Sequence, residues 1–440
     1  MKIPEQGMSP QQVMEQLQQA RSGDADWRSG RTWSLVYWAG EEHTELLKRA
    51  YSACFSENGL SPLAFPSLKR FETEVLAMAA DMLGGGPDSC GSLTSGGTES
   101  ILMAVKSARQ WARAERPHVT SPELLLPITA HPAFEKAAHY LGVKPVHVPV
   151  GKDFRADVAA ARELLSDNTI LVVGSAPSFP QGVVDPIEEL AALAAGHGLP
   201  CHVDACLGGF LLPWLRELGR EIPPFDFSVP GVTSISADIH KYGFAAKGAS
   251  CILYRDEQLR RHQYFAYSNW PGGIYVSPTM TGTRPGGAIA AAWACLQHLG
   301  RKGYLDLARR IMDLSDRLRK GIAAIEGLYI FGQPVASVFG FGLEEGNVYL
   351  LGELMEQRGW HLDRLQDPPG LHLMVTPVHE PVVQPFLDDL AECTRQAREQ
   401  ADESLSGMAA VYGMMATIDD RSQADAMAIE FLSQLMKPEA

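Results

Sequence analysis

Thr233-Ser-Ile-Ser-Ala-Asp-Ile-His-Lys-Tyr-Gly-Phe-Ala-Ala-Lys-Gly-Ala-Ser250 is the stretch whose reading decides the fold. From Thr233 to Ala237 β-branched and small residues alternate as in a buried strand, and His240-Lys-Tyr-Gly243 turns the chain out of the sheet. Lys241 therefore stands at the carboxyl end of a strand, the edge at which open α/β sheets bind ligands. Apolar walls there would weaken its preference for the charged form and leave an amine able to act as a nucleophile. Schiff-base chemistry is the natural use of such a group. The alternative is a surface lysine whose stem lies along apolar neighbours.

Around this stretch strands and helices alternate. The pattern predicts strands at 124–128, 146–148, 170–174 and 200–206, with 249–254 as an antiparallel neighbour, and helices at 132–141 and 156–165. A further helix starts at Asp185-Pro-Ile-Glu188, with proline at its first position. Another begins near Phe71 and is stopped by Gly84-Gly-Gly-Pro87, and Leu93-Thr-Ser-Gly-Gly-Thr-Glu-Ser100 opens the next. The fold class is thus α/β, with a large, mostly parallel sheet domain over 71–300. Residues 1–70 read as an N-terminal arm: a polar helix at 10–20, then irregular sequence carrying Trp27, Trp33, Tyr37 and Trp38. Beyond 300 the pattern becomes a long helix (304–325), short strands (328–331, 337–343), a helix (348–358), a strand (371–376) and a helix from Pro381. This is a smaller C-terminal α+β domain, 301–440.

A chain of 440 residues exceeds the size at which single cores stop growing, which agrees with more than one domain. Its 38 Lys and Arg against 52 Asp and Glu give a net charge of -14, which argues against a nucleic-acid partner. Seven cysteines, an odd number in a long chain, point to a reducing compartment. No apolar run is long enough for a membrane span and the first residues lack a signal-peptide core, so a cytoplasmic location is expected.

Three sites carry chemistry. Ser95-Gly-Gly-Thr98 at a helix start offers backbone N–H groups, a hydroxyl and a positive dipole end, which suit a phosphate. Asp204, in the apolar strand Cys201-His-Val-Asp-Ala-Cys206, is expected to have a cationic partner. A zinc site built from Cys201, His202 and Cys206 is disfavoured, because strand residues alternate faces and no second Cys/His cluster is near. With Lys241 these features share one economical explanation, pyridoxal 5′-phosphate: Lys241 bonds the cofactor, Asp204 pairs with its ring N–H, and Gly97 and Thr98 bind its phosphate. No metal is expected.

The segments Gly86-Pro-Asp-Ser-Cys-Gly-Ser-Leu-Thr-Ser-Gly-Gly-Thr-Glu-Ser100, His202-Val-Asp-Ala-Cys-Leu-Gly-Gly-Phe210, Gly231-Val-Thr-Ser-Ile-Ser-Ala-Asp-Ile-His-Lys-Tyr-Gly243 and Gly272-Gly-Ile-Tyr-Val-Ser-Pro-Thr-Met-Thr-Gly-Thr-Arg-Pro-Gly286 resemble the sphingosine-1-phosphate lyase family. Gly407-Met-Ala-Ala-Val-Tyr-Gly413 resembles that family's C-terminal motif. The resemblance implies fold type I, a homodimer with active sites at the interface, and retro-aldol cleavage of a phosphorylated long-chain base. It implies that His131 stacks on the cofactor ring as a further catalytic residue, and that His240 contacts the cofactor phosphate. It also implies that Gly282 and Thr283 reach that phosphate from the partner subunit. Tyr37, Asn58, Ser61 and Lys247 would face the substrate, with Lys247 the candidate for its phosphate. Ser61 stands where the family has a histidine that helps hold the substrate phosphate. Tyr412 would approach the site. The base for the C3 hydroxyl is left open among released Lys241, Tyr242 and a phosphate oxygen. The rival readings are an amino-acid α-decarboxylase of the same superfamily, which needs a cation for a carboxylate, and a non-catalytic cofactor-binding protein, which has no need of Lys241.

Overall fold

The computed structural model describes residues 2–400, 407–417 and 421–437. In chain order the first part comprises α1 (Pro10–Ala20), α2 (Glu41–Ala53), α3 (Pro66–Met82), β1 (Cys90–Thr94), α4 (Gly97–Glu115), β2 (Glu123–Pro127), α5 (Ala133–Leu141) and β3 (Lys144–Val148). It continues with α6 (Val158–Leu164), β4 (Thr169–Ser175), α7 (Ile187–Gly196), β5 (Cys201–Asp204), α8 (Leu212–Glu217), β6 (Val232–Ala237) and β7 (Ser250–Tyr254). The seven strands form one sheet in the order β1-β7-β6-β5-β4-β2-β3. From β3 to β6 the pairs are parallel, and β7 runs antiparallel to both β6 and β1.

Helices cover both faces, so the middle of β4 is apolar on both sides, as buried parallel strands are. Every residue of β4 is buried, and Ile170, Leu171, Val172 and Val173 are at most 1% exposed. Each such side chain contributes roughly 1.5–3 kcal/mol. The rigidity of this centre matters because β4, β5 and β6 end at Ser175, Asp204 and Ala237 on one edge of the sheet.

The second part comprises α9 (Glu257–Arg260), a hairpin of β8 (Phe265–Trp270) and β9 (Gly273–Ser277), and α10 (Gly286–Ala323). A four-stranded sheet follows, in the order β10-β11-β13-β12: β10 (Leu328–Ile330), β11 (Val338–Leu343), β12 (Asp363–Gln366) and β13 (Pro369–Met374). It packs with α11 (Val348–Gln357), α12 (Val383–Glu399) and α13 (Gly407–Thr417), and α14 (Arg421–Leu435) comes last. A large, mostly parallel sheet with a smaller C-terminal unit is the expected architecture.

Several elements differ from expectation. The helix expected at 304–325 starts at Gly286 and kinks at Gly300, whose φ of 53 falls in the left-handed region that glycine tolerates. The irregular arm contains α2, and its Trp33 is fully buried in the C-terminal core, stacked on His379 at 4.2 Å. Strands β1, β8, β9 and β12 were not anticipated; β1 is built of Cys-Gly-Ser-Leu-Thr, which lacks the alternation that marks a strand. Asp185 does not cap the helix that follows it. Its buried carboxylate instead accepts from the amides of Ala156 (2.9 Å) and Ser175 (2.8 Å), and burial pushes its pKa up to about 6.

Candidate active site

At the carboxyl ends of β4, β5 and β6 lies a cavity of about 310 Å³, lined among others by Tyr37, His131, Asp204, Cys206, Lys241 and Lys247. Five residues proposed from sequence as distant as 37 and 247 thus meet in one hollow.

Asp204 ends β5. Its Oδ1 accepts from the Cys206 amide at 3.0 Å and from Ser236 Oγ at 3.1 Å. In the parallel β5–β6 register His202 faces Ser234 and Asp204 faces Ser236, so the period of two puts all four on one side. His202 Nε2 lies 3.2 Å from Ser236 Oγ, and His202 Nδ1 lies 2.9 Å from Ser234 Oγ. Because the single Ser236 proton goes to the carboxylate, the His202 Nε2–H donates to Ser236 and Nδ1 accepts from Ser234. Burial holds His202 neutral, with its pKa lowered to about 4. The expected cationic partner of Asp204 is therefore replaced by an amide and a hydroxyl. No ion pair to Asp204 occurs among the described residues, and Oδ2 takes no hydrogen bond from them.

Lys241 pairs instead with Asp238, Nζ to Oδ2 at 2.9 Å. Burial alone would favour the neutral amine, as the sequence reading expected, but Asp238, Cys206 and Asp204 override it and hold the lysine above its ordinary pKa. Asp238 was missed from sequence, where it reads as one polar residue entering a loop. His131 Nδ1 accepts from the Ala133 amide at 3.1 Å, and burial lowers its pKa. Tyr37 donates to Met374 Sδ at 3.1 Å, and Lys247 Nζ sits 5.2 Å from the Tyr37 ring centroid while donating to Leu35 O at 2.9 Å. Leu35 itself has φ 69, strained for an L residue, and the ammonium on its carbonyl helps hold that turn. Burial first, then Lys241, lowers the Lys247 pKa. Tyr242, one of the candidate bases, is 1% exposed and its hydroxyl donates to Val375 O at 3.1 Å.

The amino end of α4 touches this site through Gly97. A Cβ there would lie 2.8 Å from Asp238 Oδ2 and 2.8 Å from Cys206 Sγ, so glycine is required for the approach. The first-turn amides of Gly97 and Thr98 have no carbonyl within the helix to bond. His240 is beside them, its ring 3.5 Å from where a Gly96 Cβ would be, with Nδ1 accepting from the Ala249 amide at 3.2 Å.

Gly97, Thr98 and His240 border the Lys241 cavity without lining it, while Asn58, Ser61, Gly282 and Thr283 stay apart from it. Thr283 lines a smaller hollow of about 80 Å³ with Ser95 and Gly248, and Gly282 precedes it. Asn58 pairs with Pro285, and Ser61 is exposed. Tyr412 does not line the cavity either; its ring lies 6.0 Å from that of Tyr349, beside the C-terminal core. Sequence reasoning also missed Glu99, which accepts from Ser95 N and Oγ (both 2.7 Å) and from the Met280 amide (3.0 Å), tying the segment after the hairpin to α4.

Residues 2–343 match the family described as "pyridoxal-dependent decarboxylase conserved domain". The chain is 44% identical to the sphingosine-1-phosphate lyase of Arabidopsis thaliana over 98% of its own length and 80% of that protein's. It is 37% identical to the lyase of Saccharomyces cerevisiae, over 99% of this chain and 75% of that one. The solved sphingosine-1-phosphate lyase of Burkholderia pseudomallei superposes with a TM-score of 0.91 at 38% identity, covering 100% of this chain and 98% of that one. Glutamate decarboxylase of Lactobacillus brevis superposes at 0.79 with 18% identity, over 92% of this chain and 96% of that one, a likeness of fold alone.

Proposed function

Because the chain belongs to the sphingosine-1-phosphate lyase family, we propose how its residues divide the work of a pyridoxal 5′-phosphate-dependent carbon–carbon lyase. The enzyme cleaves sphingosine-1-phosphate, or a related phosphorylated long-chain base, to a fatty aldehyde and phosphoethanolamine by retro-aldol cleavage. The observation that carries the division of roles is the meeting of Lys241, Asp204, His131, Tyr37 and Lys247 at the carboxyl edge of the sheet. The decarboxylase alternative is not favoured, since decarboxylases of known structure share the fold at 18% identity while lyases share up to 44% of the sequence.

The site fits the cofactor. The Gly97 approach leaves first-turn amides for a phosphate, Asp204 keeps Oδ2 free of protein donors, and Lys241 lies within the same cavity. When bound, pyridoxal 5′-phosphate supplies an aromatic ring that accepts the electron pair released as the C2–C3 bond breaks. Gly97, Thr98 and His240 would hold its phosphate, Asp204 would keep a proton at its ring nitrogen, His131 would contact the ring and Lys241 would anchor it. Lys247 and Tyr37 face the substrate phosphate.

Asn58, Ser61, Gly282 and Thr283 are proposed to act in the active site of a second copy. Their position outside the Lys241 cavity supports this. So does the neighbouring β8–β9 hairpin, whose Phe265 and Trp270 are each 54% exposed and whose Ile274 is 78% exposed, an apolar surface suited to burial against another subunit. A cytoplasmic location is proposed from seven free cysteines; no helix among the described residues is long and apolar enough to cross a membrane.

The test is release of a long-chain aldehyde and phosphoethanolamine from sphingosine-1-phosphate by the purified, cofactor-loaded chain, with Lys241→Ala as control. Lys241→Ala is expected to lose turnover and to lose covalent fixation of cofactor by borohydride. Borohydride-fixed cofactor in that variant would show that Lys241 is the wrong lysine.

A further inference from the structure

Asp238 has no task in the roles above, yet its surroundings are those of a functional group. It follows β6 directly and is 2% exposed. Its backbone carbonyl accepts from the Lys241 amide at 3.4 Å while its Oδ2 lies 2.9 Å from Lys241 Nζ, so one residue closes the turn and pairs with the ammonium that the turn presents. His240 Nε2 is 3.8 Å from the same oxygen. The other oxygen, Oδ1, is buried with no hydrogen-bond partner among the described residues, and the missing Cβ of Gly97 would lie 2.9 Å from it.

A buried carboxylate with one unpaired oxygen is costly and persists where something else depends on it. The two acids near Lys241 are also unlike each other. Asp204 has its Oδ1 occupied by an amide and a hydroxyl, whereas Asp238 pairs with the lysine. The charged and titratable groups that act on Lys241, His131, His240 and Lys247 are Asp238, Cys206, Asp204 and these cations on one another. Of these acids, Asp238 alone makes an ion pair with Lys241 among the described residues.

An ammonium has no lone pair, so Lys241 must shed a proton before its nitrogen can form any bond. We propose that Asp238 is the positioning residue of Lys241: its Oδ2 holds the ammonium in place and sets how readily Nζ gives up that proton to expose its lone pair. The inference rests on Lys241 being the cofactor lysine. It predicts a lysine that stays charged to unusually high pH, and whose charge is released when the carboxylate is neutralised.

The experiment is pulse acetylation of the full-length, cofactor-stripped chain between pH 7 and 11.5, read by mass spectrometry as the pH midpoint of labelling at Lys241. Lys302, 92% exposed, serves as internal reference. The wild-type midpoint at Lys241 is expected above that of an ordinary lysine, about 10.4. In Asp238→Asn it should fall by at least one pH unit, equivalent to tenfold more neutral amine at a given pH, with Lys302 unchanged; Asp238→Glu should restore the higher midpoint. A midpoint unmoved by Asp238→Asn overturns the proposal. If Asp238→Asn does not fold, a wild-type midpoint at or below about 10.4 overturns it, and one above supports it. Failure to cleave sphingosine-1-phosphate would count against the lyase reading without altering the midpoint, so the two outcomes are separable.

Discussion

Replacing Asp204 by asparagine changes one atom, and the structure dictates which way the new amide must face. Oδ1 receives the Cys206 amide, a donor that cannot be turned around, and the Ser236 hydroxyl. The asparagine carbonyl must therefore take the place of Oδ1, since the reverse orientation would set an NH2 group against that amide at a cost of about 1–3 kcal/mol. The NH2 group then occupies the Oδ2 position and offers a donor where the carboxylate offered an acceptor. A ring nitrogen facing it cannot keep its proton. The lost interaction is a hydrogen bond to a charged group, about 1.5–3 kcal/mol. At 1.36 kcal/mol per tenfold, kcat/KM should fall roughly 10- to 150-fold. Most of the fall should be in kcat, because Lys247 and Tyr37 are untouched and hold KM for the phosphorylated substrate. Cofactor content by absorbance and steady-state release of aldehyde are the measurements. A fully loaded Asp204→Asn enzyme with kcat within about threefold of wild type would refute the reasoning and remove Asp204 from the chemistry.

Ser61→His restores the side chain that the family carries; if a second copy brings this exposed position to the substrate phosphate, KM for sphingosine-1-phosphate should fall by about one to two orders of magnitude, from a charge-assisted hydrogen bond of roughly 1.5–3 kcal/mol. An unchanged KM would mean that Lys247 already satisfies the phosphate. A separate expectation concerns pH: burial lowers His202, His372 and His379 to about 4, against about 6.5 in the unfolded chain, so the unfolded state binds more protons in that window. Stability present above pH 6.5 is therefore lost as pH falls toward 4, while Asp185, raised to about 6, works the other way with one group against three. Tm should drop between pH 7.5 and 5, and a flat or rising Tm would contradict it.

Much of the sheet was legible because its central strands are buried on both faces and so stand out as apolar runs bounded by Gly and Pro. Lys241 and Asp204 were legible for the same reason, as polar residues at the ends of such runs. What surrounds them was not. The partner of Asp204 is an amide two residues along the chain and a serine on the next strand, and the second depends on a register that only the folded sheet fixes. The expected fall in the Lys241 pKa followed from burial alone and was reversed by Asp238, whose distance from the ammonium depends on how the turn closes. The β8–β9 hairpin was hidden because its exposed faces carry Phe265, Tyr267, Trp270 and Ile274 without an inside to alternate against.

The residues left outside the Lys241 cavity bear on how the site is completed, because they are not free to swing into it. Buried Arg284 forms an ion pair with Glu72 and donates to Leu93 O (3.3 Å) and Gly59 O (3.0 Å), while the Gly59 amide donates back to Arg284 O at 2.8 Å. Segments 58–61 and 282–285 are thus bound to each other and to β1, and Glu99 binds 280–281 to the start of α4. Breaking that unit would leave the buried Arg284 guanidinium and the partly buried Glu72 carboxylate unpaired, a cost of several kcal/mol. A rearrangement within one chain is therefore a poor way to bring Asn58, Ser61 and Thr283 to a substrate held by Lys247. A rigid rim that one copy lends to another requires no such break. In a two-fold pair each subunit would give the rim it receives, placing two complete sites at one interface. On this reading the exposed hairpin and the exposed Ser61 belong to one surface, and disrupting the hairpin should impair phosphate binding as well as assembly.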